Sequence, residues 1–121
     1  MAVMIEGTDE FDQWFNEELT DREREEVIAI VDLLQSIGIA LGYPYSSSIN
    51  SSKHGAMREL RTRSGNEVIR ILYIFDPRRV AVLLIGGSKT GDDRWYESYV
   101  PRADKLYDDH LRQLRKEGLI K

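Results

Sequence analysis

Arg58, Arg61, Arg63 and Arg70 fall within residues 57–73, MRELRTRSGNEVIRILY. Both halves of this stretch have strand character, and alternate residues of a strand face opposite sides. In the first run Glu59, Arg61 and Arg63 share one face, and Arg58, Leu60 and Thr62 the other. In the second, Arg70 shares a face with Val68, Leu72 and Ile74, against Ile69, Ile71, Tyr73 and Phe75. A mid-strand arginine among apolar neighbours carries a charge that is costly to bury unpaired. Two chemistries fit. Arg70 pairs with Glu59 or Glu67 at a sheet edge, or it points into a concave site and meets an anion.

Other reactive constellations are sparse. There is no cysteine, which excludes disulfide frameworks, zinc ribbons and thiol catalysis. His54 and His110 have no carboxylate or histidine at ligand spacing, so no metal site is expected. Gly86-Gly87-Ser88-Lys89-Thr90 misses the spacing of a phosphate-binding P-loop. Asp92-Asp93 reads as an exposed turn.

The formal net charge of −4 hides an uneven distribution. Residues 1–32 hold 11 acids and 2 bases, whereas residues 53–102 hold 10 bases and 6 acids. A basic half can bind a polyanion locally although the whole is acidic. Simple solvated surface would give the same counts. The 121 residues fit one domain spanning residues 1–121, and no apolar run reaches the length of a membrane span. The start, MAVMIEGTDE, lacks the pattern of a signal peptide, so a cytoplasmic location and no membrane partner are expected.

The elements that must position the arginines follow from periodicity. Residues 2–6 read as a short strand. Phe11, Trp14, Phe15 and Leu19 form one helical face, and Thr20-Asp21-Arg22-Glu23 is a capping box opening a second helix that stops at Gly38. Residues 42–55 read as a Ser-rich loop, and strands are expected at 57–63, 68–76 and 79–88, the last placed inside the sheet by its continuous apolar run. Residues 89–99 read as a polar, aromatic loop, with a last helix from Pro101 carrying Ala103, Leu106, Tyr107, His110, Leu111 and Leu114 inward. The fold class is α+β: an antiparallel sheet of about four strands against an N-terminal helical hairpin, with a C-terminal helix.

Four pieces in order resemble the RelE/ParE superfamily of toxins, in its HigB-like (phage-derived Gp49-like) branch. They are LTDREREEVIAIVDLLQSIGIALGYPYSSSI, MRELR, VIRILYIF and LLIGGSKT. The first is similar to the family's helical hairpin and its G-x-x-L-G-x-P loop. The others are similar to its E-L-R strand, its Y-R-x-x-Y strand and its apolar strand ending in a lysine turn. The resemblance implies an endoribonuclease that cleaves mRNA, mainly on the ribosome, and is silenced by a cognate antitoxin of helix-turn-helix type. It also implies that no cofactor or metal is needed, because the 2′-hydroxyl attacks the adjacent phosphate. Such a protein supplies a base, an acid and cations. By the same resemblance Arg61, Arg70, Lys89 and Tyr96 are the catalytic candidates. Lys53, His54, Arg58, Arg63 and Arg94 are candidate RNA or phosphate contacts, Arg58 being weaker because it lies on the opposite face. Glu59 stands where the family's type member is basic, and Thr90 replaces a basic residue after Lys89.

Two other functions share this fold, which alone does not choose among them. One is a ParE-like protein that binds DNA gyrase without chemistry. The other is an inactive remnant that only binds its antitoxin.

Overall fold

The computed structural model describes residues 2–121. Strand β1 (Ile5–Gly7) leads into helices α1 (Asp9–Glu17) and α2 (Asp21–Ile37), followed by a 3-10 turn (Gly38–Ala40). Four strands follow, β2 (Ser46–Ser48), β3 (Arg58–Ser64), β4 (Glu67–Phe75) and β5 (Ala81–Ser88), then helix α3 (Trp95–Lys116). The sheet runs β1-β5-β4-β3-β2. It is mixed: β1 lies parallel to β5, and the remaining neighbours are antiparallel. This is the expected α+β architecture, with one more strand and one parallel pair.

Local chemistry sets the helical hairpin. The Thr8 side chain caps α1 by accepting from the Phe11 N–H at 3.0 Å. Thr20 and Glu23 close the capping box of α2 in both directions, at 2.8 and 3.1 Å. Gly38, at φ 74°, ends it in a conformation that favours glycine. The apolar stripes of α1 and α2 (Phe11, Trp14, Val27, Ile30, Leu34) pack on Leu60, Ile69, Ile71 and Tyr73 of the sheet. Trp95, Val100, Ala103 and Tyr107 of α3 cover the other face, over Leu72, Ile74, Val82 and Leu84. No helix among the described residues is long and apolar enough to cross a membrane.

Gly86 and Gly87 sit within β5, where they act as packing sites. A Cβ on Gly86 would lie 2.3 Å from the Trp14 ring, and one on Gly87 would lie 2.8 Å from the Tyr99 ring. The two glycines thus let aromatic rings from α1 and α3 press onto opposite faces of the same strand.

Three segments depart from expectation, the first being β1, which covers Ile5–Gly7 and not residues 2–6. Ser46–Ser48 is a strand and not loop, pairing with Arg58–Leu60. Serine has no strand propensity to announce it; the segment is held by its partners. Ser46 and Tyr73 share a hydrogen bond of 2.7 Å, and Arg58 donates to the Ser46 and Ser48 hydroxyls at 3.0 Å each. Helix α3 begins at Trp95, six residues before Pro101. The missing proline N–H leaves the carbonyl four residues earlier, on exposed Glu97, to solvent at little cost. Burial of Trp95 at 0% exposure fixes the early start.

A buried carboxylate ties the far end of α3 to the sheet. Asp76, in the β4–β5 turn, accepts from the Arg78 and Val80 N–H groups and from the Arg78 guanidinium. His110 Nε2 lies 2.9 Å from its Oδ2, and Arg78 also pairs with Glu6 of β1. Burial pushes the Asp76 carboxyl up, but the bonds from His110, Arg78 and Val80 outweigh it and hold the group below the usual aspartate value.

Candidate active site

The β3–β4 register sets Arg61 directly opposite Arg70 and Glu59 opposite Leu72, so Glu59, Arg61 and Arg70 share the face toward α3. Two like charges placed opposite would repel, and Glu59 lies diagonally between them. Its carboxylate, on a residue only 4% exposed, collects four contacts. The Tyr96 hydroxyl donates to Oε1 at 2.6 Å, and the Ser47 hydroxyl donates to Oε2 at 2.7 Å. Arg61 Nη1 donates to Oε2 at 3.3 Å, and Arg70 Nε lies 3.4 Å from Oε1. That contact is an ion pair without hydrogen-bond alignment, so the buried Arg70 Nε–H has no acceptor. Arg70 Nη1 donates to its neighbour's carbonyl, Ile69 O. Of the two sequence readings of Arg70, the pairing with Glu59 is the one the structure shows. It pairs with Glu59, on an interior strand and not an edge, and it keeps one donor unsatisfied.

Lys89 and Tyr96 complete the cluster. The backbone N–H of Lys89 donates to Val68 O at 2.7 Å, which fixes the turn after β5. Its ammonium lies 5.6 Å from the centre of the Tyr96 ring, within cation–π range. Tyr96 is aimed by its helix: buried Trp95 stacks on Tyr99 at 4.4 Å and meets Tyr96 edge-on at 5.2 Å. Tyr99 in turn presses on Gly87. Burial and the bond to the Glu59 carboxylate raise the Tyr96 phenol above the ordinary tyrosine value; Arg70 opposes the shift. The phenol is thus held in its protonated form, which donates to Glu59.

Beside this cluster opens a cleft of about 490 Å³ between α2 and the end of β3. Arg61, Arg63 and Arg70 line it, together with Tyr45, Thr62 and Glu26. Of the four catalytic candidates, Arg61, Arg70 and Tyr96 meet at Glu59 and Lys89 lies against the Tyr96 ring, while Arg63 lines the cleft.

The other candidates lie elsewhere. Lys53 pairs with Asp108, and His54 Nε2 is 2.9 Å from the same carboxylate while its ring meets Tyr107 edge-on. Lys53 first, then His54, holds the Asp108 carboxyl low. Asp108 is twelve residues beyond Tyr96 on α3, about 18 Å along the helix. Arg58 turns to the opposite face and is occupied by Ser46 and Ser48. Arg94 is exposed, 3.9 Å from Glu97. Glu59 and Ser47 were not among the expected site residues. The signal for Glu59 was its parity with Arg61; nothing local in a run of serines pointed to Ser47.

The structure is thus a small α+β domain whose sheet carries a basic cluster under the start of its last helix. Residues 13–108 match the family described as "Phage derived protein Gp49-like", and the chain belongs to it. Two relatives come from Mycobacterium tuberculosis (strain ATCC 25618 / H37Rv). The protein named "Putative toxin HigB2" is 40% identical over 96 residues, covering 77% of this chain and 48% of its own. The protein named "Putative toxin HigB3" is 42% identical over 86 residues, covering 70% of this chain and 74% of its own. The chain thus spans about half the length of the former and about three quarters of the latter.

Proposed function

We propose that this protein is the toxin of a type II toxin–antitoxin pair and acts as a metal-independent endoribonuclease on mRNA, mainly ribosome-bound, until a cognate antitoxin of helix-turn-helix type neutralises it. The names of the two relatives support the toxin role. The observation that carries the chemistry is the convergence of Arg61, Arg70 and the Tyr96 hydroxyl on one carboxylate, with the Arg70 Nε–H left over.

Glu59 occupies the place where a phosphate would sit. An entering phosphodiester offers Arg61 and Arg70 a second anion with more acceptor oxygens, and arginine's planar fork suits it. On this reading Glu59, released from its cations, takes the proton of the 2′-hydroxyl. The 2′-oxygen bonds to phosphorus, the bond from phosphorus to the 5′-oxygen breaks, and Tyr96 donates a proton to the leaving oxygen. Arg61, Arg70 and Lys89 stabilise the negative charge that develops on the phosphorane. The products are a 2′,3′-cyclic phosphate and a 5′-hydroxyl.

Purified protein incubated with RNA and a chelator tests this reading. Cleavage leaving those two ends is expected, with resistance at a linkage whose 2′-hydroxyl is replaced by hydrogen. Growth arrest without any RNA cleavage, accompanied by gyrase inhibition, would overturn the nuclease reading in favour of a non-enzymatic poison.

A further inference from the structure

Tyr43 stands at the rim of the arginine cleft, one residue before Pro44, which lines it. Its ring is 78% exposed, a large apolar surface that folding leaves in water. An isolated exposed tyrosine is ordinary surface. This one is different in its partner: the Arg61 guanidinium lies 5.5 Å from the ring centre. The same Arg61 bonds Glu59, and Glu59 bonds Tyr96, whose ring carries Lys89 in turn. The result is a row in which two aromatic rings, each attended by a cation, flank the pair of arginines assigned to phosphate.

We infer that Tyr43 forms a base-stacking subsite for single-stranded RNA. One nucleobase lies on the free face of Tyr43, while the neighbouring nucleotide is splayed toward Tyr96 across the phosphate held by Arg61 and Arg70. This rests on the nuclease reading and adds to it a positioning residue and a substrate form. Single-stranded RNA is recognised by stacking unstacked bases on aromatic rings and guanidinium planes, with cations tracking the backbone. Paired RNA cannot present a base to such a ring. Tyr45 and Thr62, also on the cleft lining, offer hydroxyls toward a base edge, and the Glu26 carboxylate offers an acceptor for an exocyclic amine. An acidic peptide would satisfy the arginines equally well but would leave the ring unused and would meet Glu26 as a like charge.

The test uses the full chain and a 2′-O-methyl RNA oligonucleotide, which cannot be cleaved, carrying 2-aminopurine at successive positions. Affinity is read by anisotropy and stacking by quenching. Tyr43→Ala should weaken binding about 5- to 150-fold, the loss of one base stack, and should restore the fluorescence of one reporter position. Tyr43→Phe should stay within about twofold, because the ring and not the hydroxyl makes the stack. The melting temperature of both variants should match the parent, since the ring is exposed. If Tyr43→Ala binds RNA as the parent does while Arg61→Ala binds weakly, the subsite is overturned and the nuclease reading stands. If Tyr43→Ala keeps RNA affinity but loses affinity for an acidic peptide, the cleft belongs to a protein partner and the subsite is again overturned. If the parent neither binds free RNA nor cleaves mRNA on the ribosome, the nuclease reading falls and the subsite with it.

Discussion

Glu59 offsets part of the positive charge of the candidate cluster. Its carboxylate offsets the charge of one of two arginines, accepts a hydrogen bond from the Tyr96 hydroxyl and, being buried, holds all of them in one geometry. On the proposed reading it competes with substrate for the arginines and also serves the reaction. Those two roles predict opposite effects of one substitution. Glu59→Gln keeps the shape and removes the charge, so it should bind non-cleavable RNA more tightly while lowering the cleavage rate about 10²- to 10⁴-fold, the usual contribution of a general base. Filter binding and single-turnover cleavage check the two arms; weaker binding would show that Glu59 does not compete. Arg70→Ala removes a buried partner of that carboxylate, and should cost stability, about 1–3 kcal/mol, as well as activity. Chemical denaturation beside a toxicity assay separates the two losses. Loss of toxicity with no change in stability would mean that the Glu59–Arg70 pair contributes nothing to the fold.

At the scale of elements, β5 is the spacer that decides how closely the two helical layers approach. Gly86 and Gly87 face different rings, so adding a methyl group at each should separate stability from function. Gly86→Ala drives Cβ into Trp14, itself packed in the core, and should cost about 1–3 kcal/mol in thermal denaturation. Gly87→Ala pushes Tyr99 and with it the start of α3, lengthening the Tyr96–Glu59 contact. Cleavage should fall more than stability there. Equal losses of both quantities in both variants would remove α3 placement as the reason. The elements also differ in how far they could be read from the residues. The helical hairpin was legible because its signal is local: Thr20 and Glu23 carry the cap and the apolar stripe repeats every turn. The strand at Ser46–Ser48 was not, because its stabilising contacts come from Arg58, Glu59 and Tyr73, all distant in sequence. Nor was the start of α3, where Pro101 is a strong local stop signal overridden by burial of Trp95. In the cluster, parity correctly placed Glu59, Arg61 and Arg63 on one face of β3. What it could not supply was the β3–β4 register, and hence which acid Arg70 meets.

For the molecule as a whole, Asp76 is the joint between layers: it links the β4–β5 turn, α3 through His110 and, by way of Arg78, strand β1. Its carboxyl titrates lower in the folded protein than in the unfolded chain. A group depressed in this way stabilises the fold above the unfolded value, about 3.9, and that contribution is lost as pH falls through the lower folded value. Acid titration followed by circular dichroism should therefore show stability dropping below about pH 4. Asp76→Asn should be less stable at neutral pH and should show a shallower acid limb; an unchanged limb would place the acid sensitivity at other carboxylates.

The parallel pairing of β1 with β5 has a consequence in time. Ile5–Gly7 is synthesised early, yet its partner Ala81–Leu83 follows some 76 positions later. The first strand and the two helices after it must wait for most of the chain before the sheet they cover can close, and long-range pairing of this kind folds slowly. Tyr96 arrives later still. A growing chain therefore holds Glu59, Arg61 and Arg70 well before it holds the proton donor that, on the proposed reading, completes the site. On that reading a copy that stops before Tyr96 should not cleave RNA, because it holds the anion-binding arginines without the acid.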